Sequence, residues 1–291
     1  MATGQGRRVA NAATVPIGAR PSLADTIKGS RKLPSRLVLH GQGGIGKTCF
    51  ALHAPSPYFL LSPGETGLHT LMDAGLAPEV PNLEIADWDG SLALIEELTT
   101  QEHPYKTLVI DVIDGLEKLA NEHVCQSSFG GDWSEKGFMG FHRGFKVAAS
   151  GPWRSFLAAL DKLRAAKLMG IILLAHTGTG SFQNPTGPDY NRYAPDMYKD
   201  AWQLTYGWAD IVLFANREPV VQKERGQPKG KASGALPRTL YTEWSPFADA
   251  KNRHNLPDEI DMGNSGAEAW HNFTEALKAA RQGGKDGQSN G

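Results

Sequence analysis

The chain has 291 residues, 40% of them hydrophobic, and a formal net charge of -1. That length supports one large or two small domains with a sizeable core, and the near-neutral charge excludes a basic field over the whole molecule that would gather nucleic acid or lipid. Only Cys49 and Cys125 are present, which excludes a disulfide framework and a cysteine-built zinc site; with no apolar run of membrane length and no apolar leader core, a soluble protein of a reducing cytoplasm is expected, with no membrane partner.

Residues 1–33 carry Gly, Ala, Arg, Ser and Pro without apolar periodicity and predict a flexible arm. A single folded domain is expected over 34–282, followed by a disordered glycine-rich tail over 283–291. The domain opens with the apolar run Leu37–His40, a buried strand, followed by Gly41-Gln42-Gly43-Gly44-Ile45-Gly46-Lys47-Thr48 and a short helical stretch that Pro55 ends. Strand, G-x-x-x-x-G-K-[ST] loop and helix come in the order that makes a phosphate cradle. The glycines let backbone N–H groups turn toward a phosphate, and the helix N-terminus adds its positive end. In this pattern Lys47 reaches the β- and γ-phosphates of ATP and Thr48 offers its hydroxyl to Mg²⁺.

Further along, Tyr58–Leu61 and Leu83–Ala86 read as strands, and Asp89 is the expected N-cap of a helix over Ser91–Leu98. Lys106–Asp111 is an apolar run ending in an acid, the form in which an ATPase presents a carboxylate to Mg²⁺, so Asp111 is the second metal candidate. Asp114 and Glu117 read as acids of a first helical turn. From Gln126 to Ser150 the chain is rich in Gly and aromatic residues and predicts a long excursion that packs on its own domain, with base stacking beside Arg143 and Lys146 as the alternative.

Trp153–Lys167 has helical apolar spacing and leads into Met169–Thr177, the most apolar run, which ends on His176. A polar residue at that end of a central strand sits where α/β sheets bind ligands, so His176 is a candidate for sensing a γ-phosphate or positioning water. A long loop is expected over Gly178–Asp196, a helix over Met197–Gly207 and a buried strand over Ala209–Ala215. Pro219–Trp244 then predicts a hairpin that pairs Val220-Val221 with Leu240-Tyr241 around a basic tip: Lys223, Arg225, Lys229, Lys231 and Arg238. If all of these cations met phosphates of single-stranded DNA, log K would fall against log salt with a slope of about -3.5. An amphipathic helix over Ala267–Ala280 closes the domain. Alternating strands and helices predict an α/β fold, a mostly parallel sheet covered on both faces with a hairpin near its C-terminus.

Taken in order, the GQGGIGKT loop, the acid in Ser62-Pro63-Gly64-Glu65, the TLVID, ILLAH and WADIVLFAN strands and the Lys251-Asn252-Arg253 triplet resemble the RecA-like branch of the P-loop ATPases. The likeness is greatest to phage-encoded AAA-domain ATP-binding proteins that overlap RecA-like single-strand annealing proteins. The resemblance implies Glu65 as general base, His176 as γ-phosphate sensor, and Lys251 and Arg253 as fingers reaching a neighbour's ATP in a homo-oligomer. It also implies action on single-stranded DNA in phage recombination or replication. A small-molecule kinase and a nucleotide-dependent switch acting on proteins are the rival readings.

Overall fold

The computed structural model describes residues 33–222 and 231–286. The expected arm, Leu33 apart, and residues 287–291 of the expected tail lie outside the described residues, as do Lys223, Arg225 and Lys229. Strand β1 (Arg36–Gly41) leads through the glycine loop into α1 (Lys47–Ala51), then β2 (Pro57–Leu61), α2 (Gly67–Asp73), β3 (Asn82–Glu84) and α3 (Trp88–Thr100). The α3 N-cap is Asp87, whose carboxylate accepts from the Gly90 N–H at 2.7 Å; Asp89, the expected cap, lies in the first turn instead. Next come β4 (Thr107–Asp111), α4 (Ile113–Phe129), α5 (Arg143–Ala148), α6 (Arg154–Lys167) and β5 (Gly170–Phe182).

The glycine- and aromatic-rich stretch packs on the domain as expected: Phe138 is fully buried among Phe129, Trp133 and Phe145. Beyond β5 the expected loop over Gly178–Asp196 is instead largely a hairpin. Strand β5 continues past His176 to Phe182 and pairs antiparallel with β6 (Tyr190–Pro195), from Thr177 opposite Pro195 to Phe182 opposite Tyr190. Small residues and glycines hid this extension, because they carry little strand preference of their own and the pairing supplies what propensity does not.

The chain closes with α7 (Lys199–Trp208), β7 (Ile211–Gln222), β8 (Lys231–Tyr241), β9 (Lys251–Asn252), β10 (Glu259–Asp261) and α8 (Gly266–Asp286). Helix α8 thus runs into the stretch expected to be tail. The β7–β8 hairpin exists, but in another register: Leu240 and Tyr241 pair with Ala215 and Phe214, and Val221 pairs with Ala232. Buried Leu240 belongs beside the buried half of β7, which pulls the pairing toward the sheet and lengthens the hairpin.

The sheet order is β10-β8-β7-β1-β5-β4-β2-β3, with β6 added to β5 and β9 to β7. From β7 to β3 every neighbour is parallel, and the antiparallel pairs are β5–β6, β7–β8, β7–β9 and β8–β10. Alternation within the strands feeds two cores. Val38, Leu60, Leu108, Ile110, Ile171 and Leu173 face α3, α4, α6 and α7, whereas Leu39, Phe59, Leu61, Val109, Ile172 and Leu174 face α1, α2 and α8. Burial on both faces explains why these strands read as continuous apolar runs. The glycine loop leaves β1 between β5 and β7, at the carboxyl ends of the parallel strands, where such sheets open a ligand crevice.

Candidate nucleotide site

The loop geometry begins at Gly41, where an added Cβ would stand 2.6 Å from the Ala215 carbonyl oxygen, so β7 runs too close for any side chain. Gly46 holds φ at 107° at the start of α1, a region open to glycine and costly for other residues. The turn brings Lys47 back over the loop, where its ammonium donates to the carbonyls of Gly41 and Gln42 at 2.8 and 3.1 Å. Burial pulls the Lys47 ammonium below its ordinary pKa, against the opposing pull of Asp111, Asp114 and Glu65.

Three further strands bring polar groups to this point. Register places Asp111 of β4 opposite Leu61 and Leu174, and Thr48 Oγ1 donates to Asp111 Oδ2 at 2.8 Å. The Asp111 carboxyl is almost fully buried, and that desolvation lifts its pKa to about 6 although the Thr48 hydrogen bond works against it. A hydroxyl and a carboxylate in contact are hard oxygen donors of the kind Mg²⁺ uses when phosphates and water complete its octahedron. Among the described residues no three acids, histidines or cysteines cluster into a metal site of their own. The donor set therefore fits Mg²⁺, which Thr48 and Asp111 would hold together with a bound nucleotide.

Glu65 follows β2 through a turn in which Gly64 takes φ 78°. Its Oε1 accepts from the Gly67 N–H at 3.0 Å, and the same glycine lies beside Thr48. Glu65 is thus held on the Thr48–Asp111 side of the loop. His176 stands opposite Gly41 in the β1–β5 ladder. Its Nδ1 donates to Asp114 Oδ2 at 2.9 Å, and its backbone N–H donates to Asp114 Oδ1 at 2.9 Å. That hydrogen bond raises the imidazole pKa above its ordinary value. Burial pushes Asp114 upward, yet the bonds from His176 outweigh it and keep the carboxyl below the usual range.

Asp114, read from the sequence as a first-turn acid, is the residue that orients His176. Nothing in sequence spacing marks it, since the contact depends on how α4 leaves β4 beside β5. Glu117, one turn on, is likewise buried, and both its oxygens accept from the Tyr198 N–H that begins α7, each at 3.1 Å. Desolvation raises its pKa to about 7. A carboxyl raised in the folded state binds its proton more tightly there than in the unfolded chain, so its linkage lowers stability as pH climbs from about 4.5 to 7. Glu117→Gln should flatten the urea-unfolding stability over that interval, removing a pH-dependent term on the order of 3 kcal/mol; an unchanged pH slope would refute the buried, proton-binding role.

Other sequence candidates fall elsewhere. Arg238, assigned above to the basic hairpin tip, is instead at the phosphate loop: its guanidinium donates to Ile45 O at 3.2 Å and to Gly263 O at 2.9 Å. The corrected hairpin register is the reason, because it sets Arg238 opposite Arg217, just beyond the β7 residue that flanks Gly41. Arg238 therefore clamps the loop to the turn before α8 and does not stand at the hairpin tip. Lys231 begins β8 opposite Gln222.

Lys251 and Arg253 sit beside β9 at the far end of β7, about 10 Å along the strand from the loop level. Both donate to the Gly207 carbonyl at the C-terminus of α7, at 3.2 and 3.3 Å, and Arg253 also pairs with Asp210 at 3.7 Å. Cations at a helix C-terminus complement its unpaired carbonyls. The two side chains do share one direction, as the spacing implies, but within their own chain they do not join the phosphate cluster.

His40, unmarked by its place in the sequence, is fully buried just before the loop. Its Nε2–H donates to Asp249 O at 2.6 Å and its Nδ1 accepts from the Thr177 hydroxyl at 2.9 Å. Desolvation lowers its pKa to about 4, so it is neutral and fixes β1 to β5 next to His176.

A family model described as an AAA domain matches residues 33–254 of this chain. No curated protein matches it. Among the described residues no helix is long and apolar enough to cross a membrane.

Proposed function

Because the chain belongs to the AAA domain family and is on that ground a nucleotide-binding protein of ATPase type, we propose that it is a Mg²⁺-dependent, RecA-like ATPase whose turnover responds to single-stranded DNA. The observation that carries the hydrolytic reading is the convergence of the Thr48–Asp111 pair, Glu65 and the Asp114-held His176 on one flank of a complete phosphate loop. Thr48 and Asp111 would hold Mg²⁺, which when bound would neutralise charge developing on the phosphates. Lys47 binds oxygens of the same phosphates. Glu65 accepts a proton from the attacking water as its oxygen bonds to the γ-phosphorus. The electron pair of the breaking bond passes to the oxygen joined to the β-phosphate, and ADP and phosphate leave. His176, its Nδ1–H bound by Asp114 and its pKa raised by that bond, acts in its protonated form, in which the other ring nitrogen donates a hydrogen bond to the γ-phosphate.

Single-stranded DNA as the partner is supported by the resemblance to RecA-like ATPases and by one surface. Phe141 is 93% exposed beside Arg143 and Lys146, the combination of aromatic face and cations on which unpaired bases stack. Phosphate release from MgATP should rise on addition of single-stranded DNA, and rise further with protein concentration if protomers complete one another's sites. Turnover indifferent to both would favour a protein-directed switch.

A further inference from the structure

The groups just described all lie on one side of the phosphate loop, toward β5, β4 and β2. The other side is a cleft lined by Gln42, Gly44, Ile45, Asn216, Arg217 and Arg238. Arg217 is exposed, and its guanidinium forms no hydrogen bond or ion pair with any described residue. It stands directly across the ladder from Arg238, and like charges so placed repel unless an anion or polar ligand lies between them. Arg238 is satisfied by two carbonyls; Arg217 is not.

A bound nucleotide has a direction on this loop. Its β- and γ-phosphates belong with Lys47, Thr48 and Asp111, so the chain of phosphates must leave over the opposite flank, where, among the described residues, Asn216 and Arg217 of β7 line the cleft. We propose that Asn216 and Arg217 form the subsite for the nucleoside-monophosphate end of the nucleotide. The Arg217 guanidinium contacts the α-phosphate and the adjoining ribose and base, and the Asn216 amide supplies hydrogen bonds to the same moiety. The assignment rests on the ATP-site reading above and adds to it a specificity surface built by the β7–β8 hairpin.

The test compares binding of MgATP, MgADP and magnesium pyrophosphate by calorimetry to the full chain, to Arg217→Ala and to Lys47→Ala. Pyrophosphate has the groups that the loop grips but lacks the nucleoside end. Arg217→Ala should weaken ATP and ADP by about tenfold and leave pyrophosphate within about twofold of wild type, whereas Lys47→Ala should weaken all three. Unchanged ATP and ADP affinity in Arg217→Ala overturns the subsite, and so does an equal loss for pyrophosphate, which would put Arg217 in the phosphate cradle itself. A wild-type chain that binds none of the three overturns the ATP-site reading and this subsite with it. Arg217 lies on the surface, so its removal spares the core, and an unchanged melting temperature without ligand verifies that the variant is folded.

Discussion

Lys47→Ala is expected to lose the thermal stabilisation that MgATP gives the wild-type chain and to release phosphate at the background rate. A ligand that binds only the folded state raises its stability by RT ln(1 + [L]/Kd), so the melting shift at fixed ATP reads affinity directly. Lys47 is buried, its ammonium lies over the loop carbonyls, and Asp111, Asp114 and Glu65 surround it. Removing the cation leaves those carboxylates and the β- and γ-phosphates of an incoming triphosphate without the ammonium that lies over the loop. Truncating one partner of a buried, hydrogen-bonded charge pair costs roughly 2–5 kcal/mol, a loss of affinity of roughly thirtyfold to a few thousandfold. A variant that kept both the melting shift and turnover would sink the assignment of the loop. Lost turnover with a retained shift would move Lys47 from binding to the chemical step.

Much of this site is legible in the amino-acid sequence, for a physical reason. The loop is local: strand, glycines, lysine, threonine and helix are contiguous, and each obeys a rule of backbone or charge that sequence alone displays. Asp111 is legible because a strand buried on both faces leaves its first polar residue at the ligand end. Asp114, Arg238 and His40 are not, since each acts through a partner far away in sequence: His176, Ile45 and Asp249 respectively. Strand register creates those contacts, and a shift of a few residues in one hairpin is enough to turn Arg238 from an apparent DNA contact into a clamp on the loop. The same holds for β6, whose pairing with β5 is non-local and whose tyrosines are interrupted by Asn, Arg and a closing Pro, so that no strand pattern stands out.

Glu65→Gln should bind MgATP as tightly as wild type and hydrolyse it about 10² to 10³ times more slowly, within the range by which general-base catalysis accelerates proton transfer. The substitution is chosen for what it preserves. The amide oxygen can still accept from the Gly67 N–H, which in the native turn donates to Glu65 Oε1 at 3.0 Å, so the backbone beside Thr48 keeps its conformation. What is lost is the second oxygen's capacity to take a proton from water. Single-turnover phosphate release, measured beside ATP affinity, separates the two effects: a true base lowers the chemical step alone. His176→Gln gives the contrast. That side chain contributes a donor held by Asp114 rather than a proton acceptor, so its removal should weaken discrimination between ATP and ADP as well as slow the reaction. If Glu65→Gln turns over at the wild-type rate, the base is not on the turn after β2, and the water must be activated from the His176–Asp114 side, the remaining pair of titrating groups that faces the loop from β5 and α4.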